Sequence, residues 1–268
     1  MPILAGASRR WRAGQASAIS VAILTAAVLA LGLALYGYFA GHARAAQLQQ
    51  ALVSAYGDYS RALTIHVEAS YINTSTPTPT ACYVVSINNV AGAPVRAYLT
   101  ILPAAQGPQG VPILDPAISR IPLDTTQTPP KLTALPYYIE DVNGDGVLDV
   151  VGSGGRVVPG NPWLPSCDEI YYSTTYQIEA LQPEYAPANE IELGLSGLSL
   201  AGLAQSKLGV TLNETPVWGF TLQPGGKLSL FIYVELAGNP QSLSLASLMS
   251  FNGRYYVVTL TNLPVTQG

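Results

Sequence analysis

Charge is scarce in this 268-residue chain: Asp, Glu, Lys and Arg together make up 10% of it, and Lys131, Lys207 and Lys227 are its only lysines. Phosphate neutralisation needs clustered Lys and Arg, so a chain this poor in cations, with a net charge of −4, argues against nucleic acid as a partner. Histidine is limited to His42 and His66. A Ser-His-Asp hydrolase would therefore depend on His66 alone. A GxSxG elbow, a phosphate-binding Gly-Lys loop and an HExxH helix are all missing, and the expectation is a protein that is not an enzyme. Acidic residues do not occur before Asp58, and residues 13–41 carry no charged side chain at all.

That uncharged run is what the chain has in place of charge. As a helix, 29 residues reach about 43 Å, more than the ~30 Å hydrocarbon layer requires. Ile19, Val21, Ile23, Leu24, Val28, Leu29, Leu31, Leu33, Leu35 and Phe39 outweigh the cost of Ser17, Ser20, Thr25 and the glycines, so the segment is expected to insert. Arg9, Arg10, Arg12 and Arg44 flank it, leaving eight basic residues against sixteen acidic ones in the rest of the chain. By the positive-inside rule the N-terminus stays cytoplasmic and everything after residue 44 is outside.

On the outside, disulfides persist, and Cys82 and Cys167 are the smallest set that can pair. The alternative is two unpaired buried thiols. Past the apolar run, Leu48, Leu52, Tyr56, Tyr59 and Leu63 recur at spacings of four, four, three and four, an amphipathic stripe. It serves either a filament packing face or docking on the chain's own β-domain. One helix over 15–63 is expected, then a strand from Thr64. Residues 73–80 (NTSTPTPT) read as an exposed linker. Asn73 and Asn213 head N-glycosylation sequons.

From Ala81 the pattern is β-rich. Strands are predicted at 82–87, 95–102, 135–139, 147–151, 170–180, 191–195, 217–222, 228–236 and 255–260. The first two read as an antiparallel hairpin. Alternation over 228–236 suits a sheet with one buried face. Residues 103–134 read as a long surface excursion, 195–208 as helix or strand, and 243–249 as a helical turn. Short strands with intervening Gly and Pro favour a sandwich.

The order of a basic cluster, then Arg12, Ala13, Gly14, Gln15, Ala16 and Ser17, then an apolar run passing into an amphipathic helix, resembles archaeal type IV pilins with class III signal peptides. The resemblance covers residues 9–63. It implies cleavage after Gly14 or Ala13, so that Gln15 or Gly14 starts the mature chain and the apolar helix is retained as the filament core. It further implies a leader peptidase and pilus assembly machinery as partners, with copies of the chain itself as the polymer. Ile19 stands where bacterial pilins usually carry glutamate. An uncut signal anchor, and secretory cleavage at Ala43, Ala45 or Ala46, are the competing readings of the same segment. Ala22, Ala26, Ala30 and Ala34 share one helix face at i+4 spacing, the small-residue contact by which apolar helices pack closely.

The sharpest chemical motif is DVNGDGVLD over 141–149. Asp141, Asn143, Asp145, the Val147 carbonyl and Asp149 match a DxNxDG calcium loop, with Gly146 at the sharp turn. Residue 152 is glycine rather than the EF-hand glutamate, so the expected Ca2+ is structural and held by a shorter loop. A plain acidic hairpin turn is the alternative. Sixteen tyrosines, with doublets at 137/138, 171/172 and 255/256, would each put one ring on either side of a strand.

The expected fold is α+β: a long N-terminal membrane or filament-core helix followed by an all-β, Ig-like antiparallel sandwich. The segments are a leader (1–14), the hydrophobic helix (15–63), a strand and Thr/Pro-rich linker (64–80), and an extracellular domain (81–268). The expected function is a cell-surface filament subunit, inserted in the plasma membrane before assembly. The alternative is a membrane-tethered monomer whose calcium-binding domain recognises carbohydrate or surface-layer protein.

Overall fold

Helix α1 (Ala7–Ala62) takes up the whole apolar run and the stripe that follows it. The computed structural model describes residues 7–107, 112–151, 157–158 and 179–266. The chain divides into two units, Met1–Ser54 and Ala55–Gly268. Helical backbone starts ahead of the expected Gln15 because Ala and Arg, five of the seven residues at 7–13, are strong helix formers.

The described residues of the second unit contain the end of α1 and sixteen strands: β1 (Leu63–Asn73), β2 (Thr80–Asn89), β3 (Val95–Leu102), β4 (Ala104–Gln106), β5 (Pro112–Leu114), β6 (Leu123–Asp124), β7 (Lys131–Leu132), β8 (Ala134–Glu140), β9 (Asp149–Val151), β10 (Val157–Val158), β11 (Glu184–Pro187), β12 (Ile191–Leu193), β13 (Glu214–Leu222), β14 (Lys227–Glu235), β15 (Leu243–Phe251) and β16 (Arg254–Leu263). One sheet runs β1-β2-β14-β8-β9-β10 and the other β11-β13-β3-β15-β16-β12. Pairing is antiparallel except between β12 and β16. The layout is α+β, as expected.

Leu99 and Ile101 of β3, Trp218 and Phe220 of β13, and Leu245 of β15 meet Pro136 of β8 and Leu230 and Ile232 of β14. That is the interior of a sandwich, with alternate side chains of each strand pointing inward. The outward-pointing residues are buried too. On the first sheet Cys82, Val84, Tyr137, Ile139, Val150, Phe231 and Tyr233 form a second apolar cluster. The other sheet carries Tyr98, Leu102, Leu248 and Val257 under Leu200, Leu203 and Ala204. The expectation of one buried face for 228–236 is thus corrected, because Phe231 and Tyr233 are as buried as Leu230 and Ile232.

The helix over those residues is α2 (Leu200–Leu208), which resolves the ambiguous 195–208 segment. Ser199 caps it by accepting the Gly202 N–H at 3.1 Å, and Gly209 ends it in the left-handed region at φ 67°.

Three further expectations are overturned. The strands at 82–87 and 95–102 do not form a hairpin: β2 pairs with β1 and β14, and β3 with β13 and β15, in opposite sheets. Asn89 makes this corner. Its Nδ2 lies 2.9, 3.0 and 3.1 Å from the carbonyls of Ala93, Leu222 and Gln223, and its Oδ1 accepts the Ala91 N–H at 2.9 Å. Residues 243–249 are strand rather than helical turn, since β15 is central in its sheet and buried from Leu243 to Met249. Residues 103–134 are no loose excursion: β4 pairs with β5, β6 with β7, and Ala104, Ile118, Ile121 and Leu123 are buried. Asp115 anchors the segment by accepting the N–H groups of Ala117 and Gln241. The strand expected at 170–180 lies outside the described residues up to 178.

Candidate functional site

Among the described side chains of the first unit, α1 offers no buried face. The large apolar and aromatic side chains from Ile19 to Phe39 are between 48% and 73% exposed, on a helix with an 18-residue stretch of mean hydropathy 2.3. Its polar groups are not left open: Thr25 Oγ1 donates to the Val21 carbonyl at 2.8 Å, which suits a hydroxyl in an apolar solvent. Tyr36, Tyr38 and Phe39 come together near the end of the apolar run, with the Tyr38 ring 4.3 Å from that of His42. Twenty residues from Ile19 reach Tyr38, so these rings fall where a ~30 Å hydrocarbon layer ends, the usual place of an aromatic belt. The helix is long and apolar enough to cross a membrane. A signal sequence near an N-terminus meets the same description. Ala22, Ala26, Ala30 and Ala34 are exposed, and Ala13, Gly14 and Gln15 lie within helical backbone.

The last two turns of α1 behave differently. Tyr59 is 9% exposed, and its hydroxyl donates to the Leu248 carbonyl at 2.8 Å while accepting from Ser247 Oγ at 3.1 Å. The Tyr56 hydroxyl donates to the Val257 carbonyl at 3.2 Å. Both acceptors flank a β-bulge, where the β15–β16 register shifts between Ser247 and Leu248. A bulge interrupts the ladder, and two helix hydroxyls take up the carbonyls beside it. Burial pushes the Tyr59 phenol up to about 12, against a smaller lowering by the Ser247 hydrogen bond. The stripe read from sequence therefore divides: Tyr56, Tyr59 and Leu63 serve the chain's own β-domain, whereas Leu48 stays 48% exposed.

The acidic loop joins β8 to β9, whose ladder ends at the Glu140–Asp149 pair. Asp141 accepts the N–H groups of Gly144 at 2.7 Å and Gly146 at 2.9 Å. Asn143 Oδ1 accepts from the Asp145 N–H, and Asp145 Oδ1 from the Val147 N–H. Gly144 and Gly146 have φ of 75° and 83°, a region closed to most side chains. Asp149, 2% exposed, accepts the Val142 N–H at 3.2 Å. Backbone N–H groups thus hold the carboxylates one by one. Among the described residues no group of three or more His, Cys, Asp or Glu side chains is placed to hold a metal ion. The donor set is all oxygen and suits a hard cation, but Asp145 Oδ2 is turned to Asn143 Nδ2 at 3.0 Å. Coordination would require that side chain to rotate.

Cys82 is disulfide-bonded; Cys167, the chain's other cysteine, lies outside the described residues. At the first sequon Thr74 and Ser75 are exposed, and Asn73 Oδ1 accepts the Ser75 N–H at 2.9 Å. At the second, Thr215 is 2% exposed and opposite Ala186 in the β11–β13 ladder. Sequence reasoning missed the bulge beneath Tyr56 and Tyr59, which no local pattern marks. It left 195–208 open between helix and strand, although Ser199 and Gly209 were available as helix-end signals. No protein-family description, no curated protein and no solved structure matches the chain.

Proposed function

We propose that the chain is a non-enzymatic subunit of a cell-surface filament of the type IV pilus kind. In this reading α1 rests in the plasma membrane with its N-terminus cytoplasmic. A leader peptidase cuts beside Gly14, and assembly machinery then passes the helix from lipid to copies of itself. The observation that carries the reading is a helix whose large apolar side chains from Ile19 to Phe39 are all exposed, extended past the lipid-spanning length by a segment in which Leu48 and Val53 are still 48% and 51% exposed. A tether needs about twenty apolar residues and no more. Lipid and neighbouring helices are equally apolar, so assembly draws on close packing across Ala22, Ala26, Ala30 and Ala34. The acidic outer body supports a role without nucleic acid.

The Asp141–Asp149 loop is proposed to take a structural Ca2+ through Asp141, Asn143, Asp145, the Val147 carbonyl and Asp149. The Cys82 bond is proposed to be with Cys167. Of the two sequons, Asn73 is proposed as the glycosylated one, because transfer needs the hydroxyl two residues on and Thr215 is sealed in a ladder. Mass spectrometry of surface material should find sugar on Asn73 and none on Asn213; the reverse pattern would refute this.

Docking of Tyr56 and Tyr59 on the β-domain favours a second reading, a membrane-tethered monomer that binds carbohydrate or surface-layer protein, since a tether also needs a fixed neck. N-terminal sequencing separates the two. A chain starting at Gly14 or Gln15, with filaments seen by electron microscopy, supports the polymer. An intact Met1 on a membrane monomer supports the tether.

A further inference from the structure

Beside the end of α1 lies a groove of about 600 Å³, with Asp58 and Ala62 on the helix and Ala93, Val95 and Met249 across from them. Its walls are mostly small and apolar. Asp58 is exposed and has no ion pair among the described residues, including with Arg61 one turn on. The groove's other charge, Arg96, is engaged: it lies 3.9 Å from Glu184 and 5.0 Å from the centre of the Tyr98 ring.

We infer that this groove receives residues 41–54 of a second copy of the chain, with Leu48 seated among the alanines and Arg44 facing Asp58. The inference rests on the filament reading above. Three observations select the occupant. Arg44 is the only charged residue between positions 19 and 54, it is exposed, and its sign complements Asp58. Arg44 and Leu48 lie one turn apart on the same helix face, so one approach presents both. Ala45 and Ala51 flank Leu48, permitting the short interaxial distance that small residues allow. A helix of 10 Å diameter fills such a groove with about one and a half turns, enough to carry both side chains.

The test uses the full-length chain in its native membrane. Arg44→Glu and Asp58→Arg each place like charges together, and each should cut filament number about tenfold. The double reversal should restore it. Both positions are exposed, so the melting curve of the β-domain should not move in any of the three. In a Leu48→Cys, Ala93→Cys protein, oxidation should join neighbouring subunits into a ladder on non-reducing gels. Wild-type-like filaments from both single reversals, or a double reversal no better than the singles with no ladder, would overturn the groove contact and leave polymerisation standing. Absence of filaments from the wild-type chain would overturn both.

Discussion

Two stretches of one helix, residues 19–54 and 55–62, differ in polarity and end up in opposite circumstances: the first carries one charged residue, Arg44, and the second carries Asp58 and Arg61. The first exposes Leu33 at 72% and Phe39 at 65%; the second buries Tyr59 to 9% and Ala62 to 4%. The later stretch differs by carrying phenols that match backbone acceptors at a bulge. The earlier one is mainly small and aliphatic as far as Leu35, and its Thr25 hydroxyl is turned back on its own backbone. Polarity marks the difference: the stretch packed on the β-domain carries hydroxyls with matched acceptors, and the exposed stretch is dominated by apolar side chains.

The strongest break of this comparison is at the small-residue face. Replacing Ala30 with Phe should abolish filaments while leaving membrane insertion and the melting of the β-domain unchanged; normal filaments would refute the packing role. Trp218→Ala acts on the other side. It empties the sandwich interior, where Trp218 is 3% exposed, and should cost about 3–5 kcal/mol by denaturant titration without altering insertion.

Tyr59→Phe sharpens the contrast. Leaving the Leu248 carbonyl and Ser247 hydroxyl without their partner should cost about 1–3 kcal/mol. The same group sets an alkaline limit. Its folded pKa, about 12, lies above the unfolded value near 10, so its contribution is complete below pH ~10 and disappears as pH rises from there towards ~12. The Tyr59→Phe protein should lose less stability than wild type across that window, and equal losses would place the alkaline sensitivity elsewhere. The smallest effect is expected at the acidic loop. With a dissociation constant near 10⁻⁴ M, millimolar calcium should stabilise by about 1.4 kcal/mol, reversed by chelator and lost in Asp145→Ala; a melting curve indifferent to calcium would end that proposal.

The elements legible in the sequence were those set by local chemistry. The uncharged run gave the helix, alternation over 228–236 gave β14, and the Asn-Gly and Asp-Gly pairs marked the turn between β8 and β9. What stayed hidden depended on remote neighbours. The segments at 82–87 and 95–102 look like hairpin arms because each is a good strand with turn residues between, and only the competing claims of β14 on β2 and β13 on β3 send them to different sheets. Residues 243–249 (LSLASLM) have helix-compatible composition, yet β3 and β16 on either side draw them into a ladder. Residues 103–134 looked solvent-bound from their Pro and Gly, while Ile118, Ile121 and Leu123 were the apolar residues that tie the segment down.

For the acidic loop, the sequence showed the row of oxygen-bearing side chains and the turn. It could not show that each carboxylate would be occupied by a backbone N–H, because that depends on how β8 and β9 meet at Glu140 and Asp149. Nor could the spacing of Leu48, Leu52, Tyr56 and Tyr59 reveal that one stripe would serve two surfaces, since the dividing point is set by a bulge some 190 residues away in β15.

Asn89 gives the sandwich corner a chemical age. Its carboxamide is the donor that three carbonyls share, and ammonia loss by slow hydrolysis would turn that donor into a carboxylate aimed at the same three oxygens. At 1% exposure, and followed by the branched Val90, the amide is shielded from water and from attack by the next backbone nitrogen. The durability of the sandwich corner is then bounded by how well one side chain is kept dry.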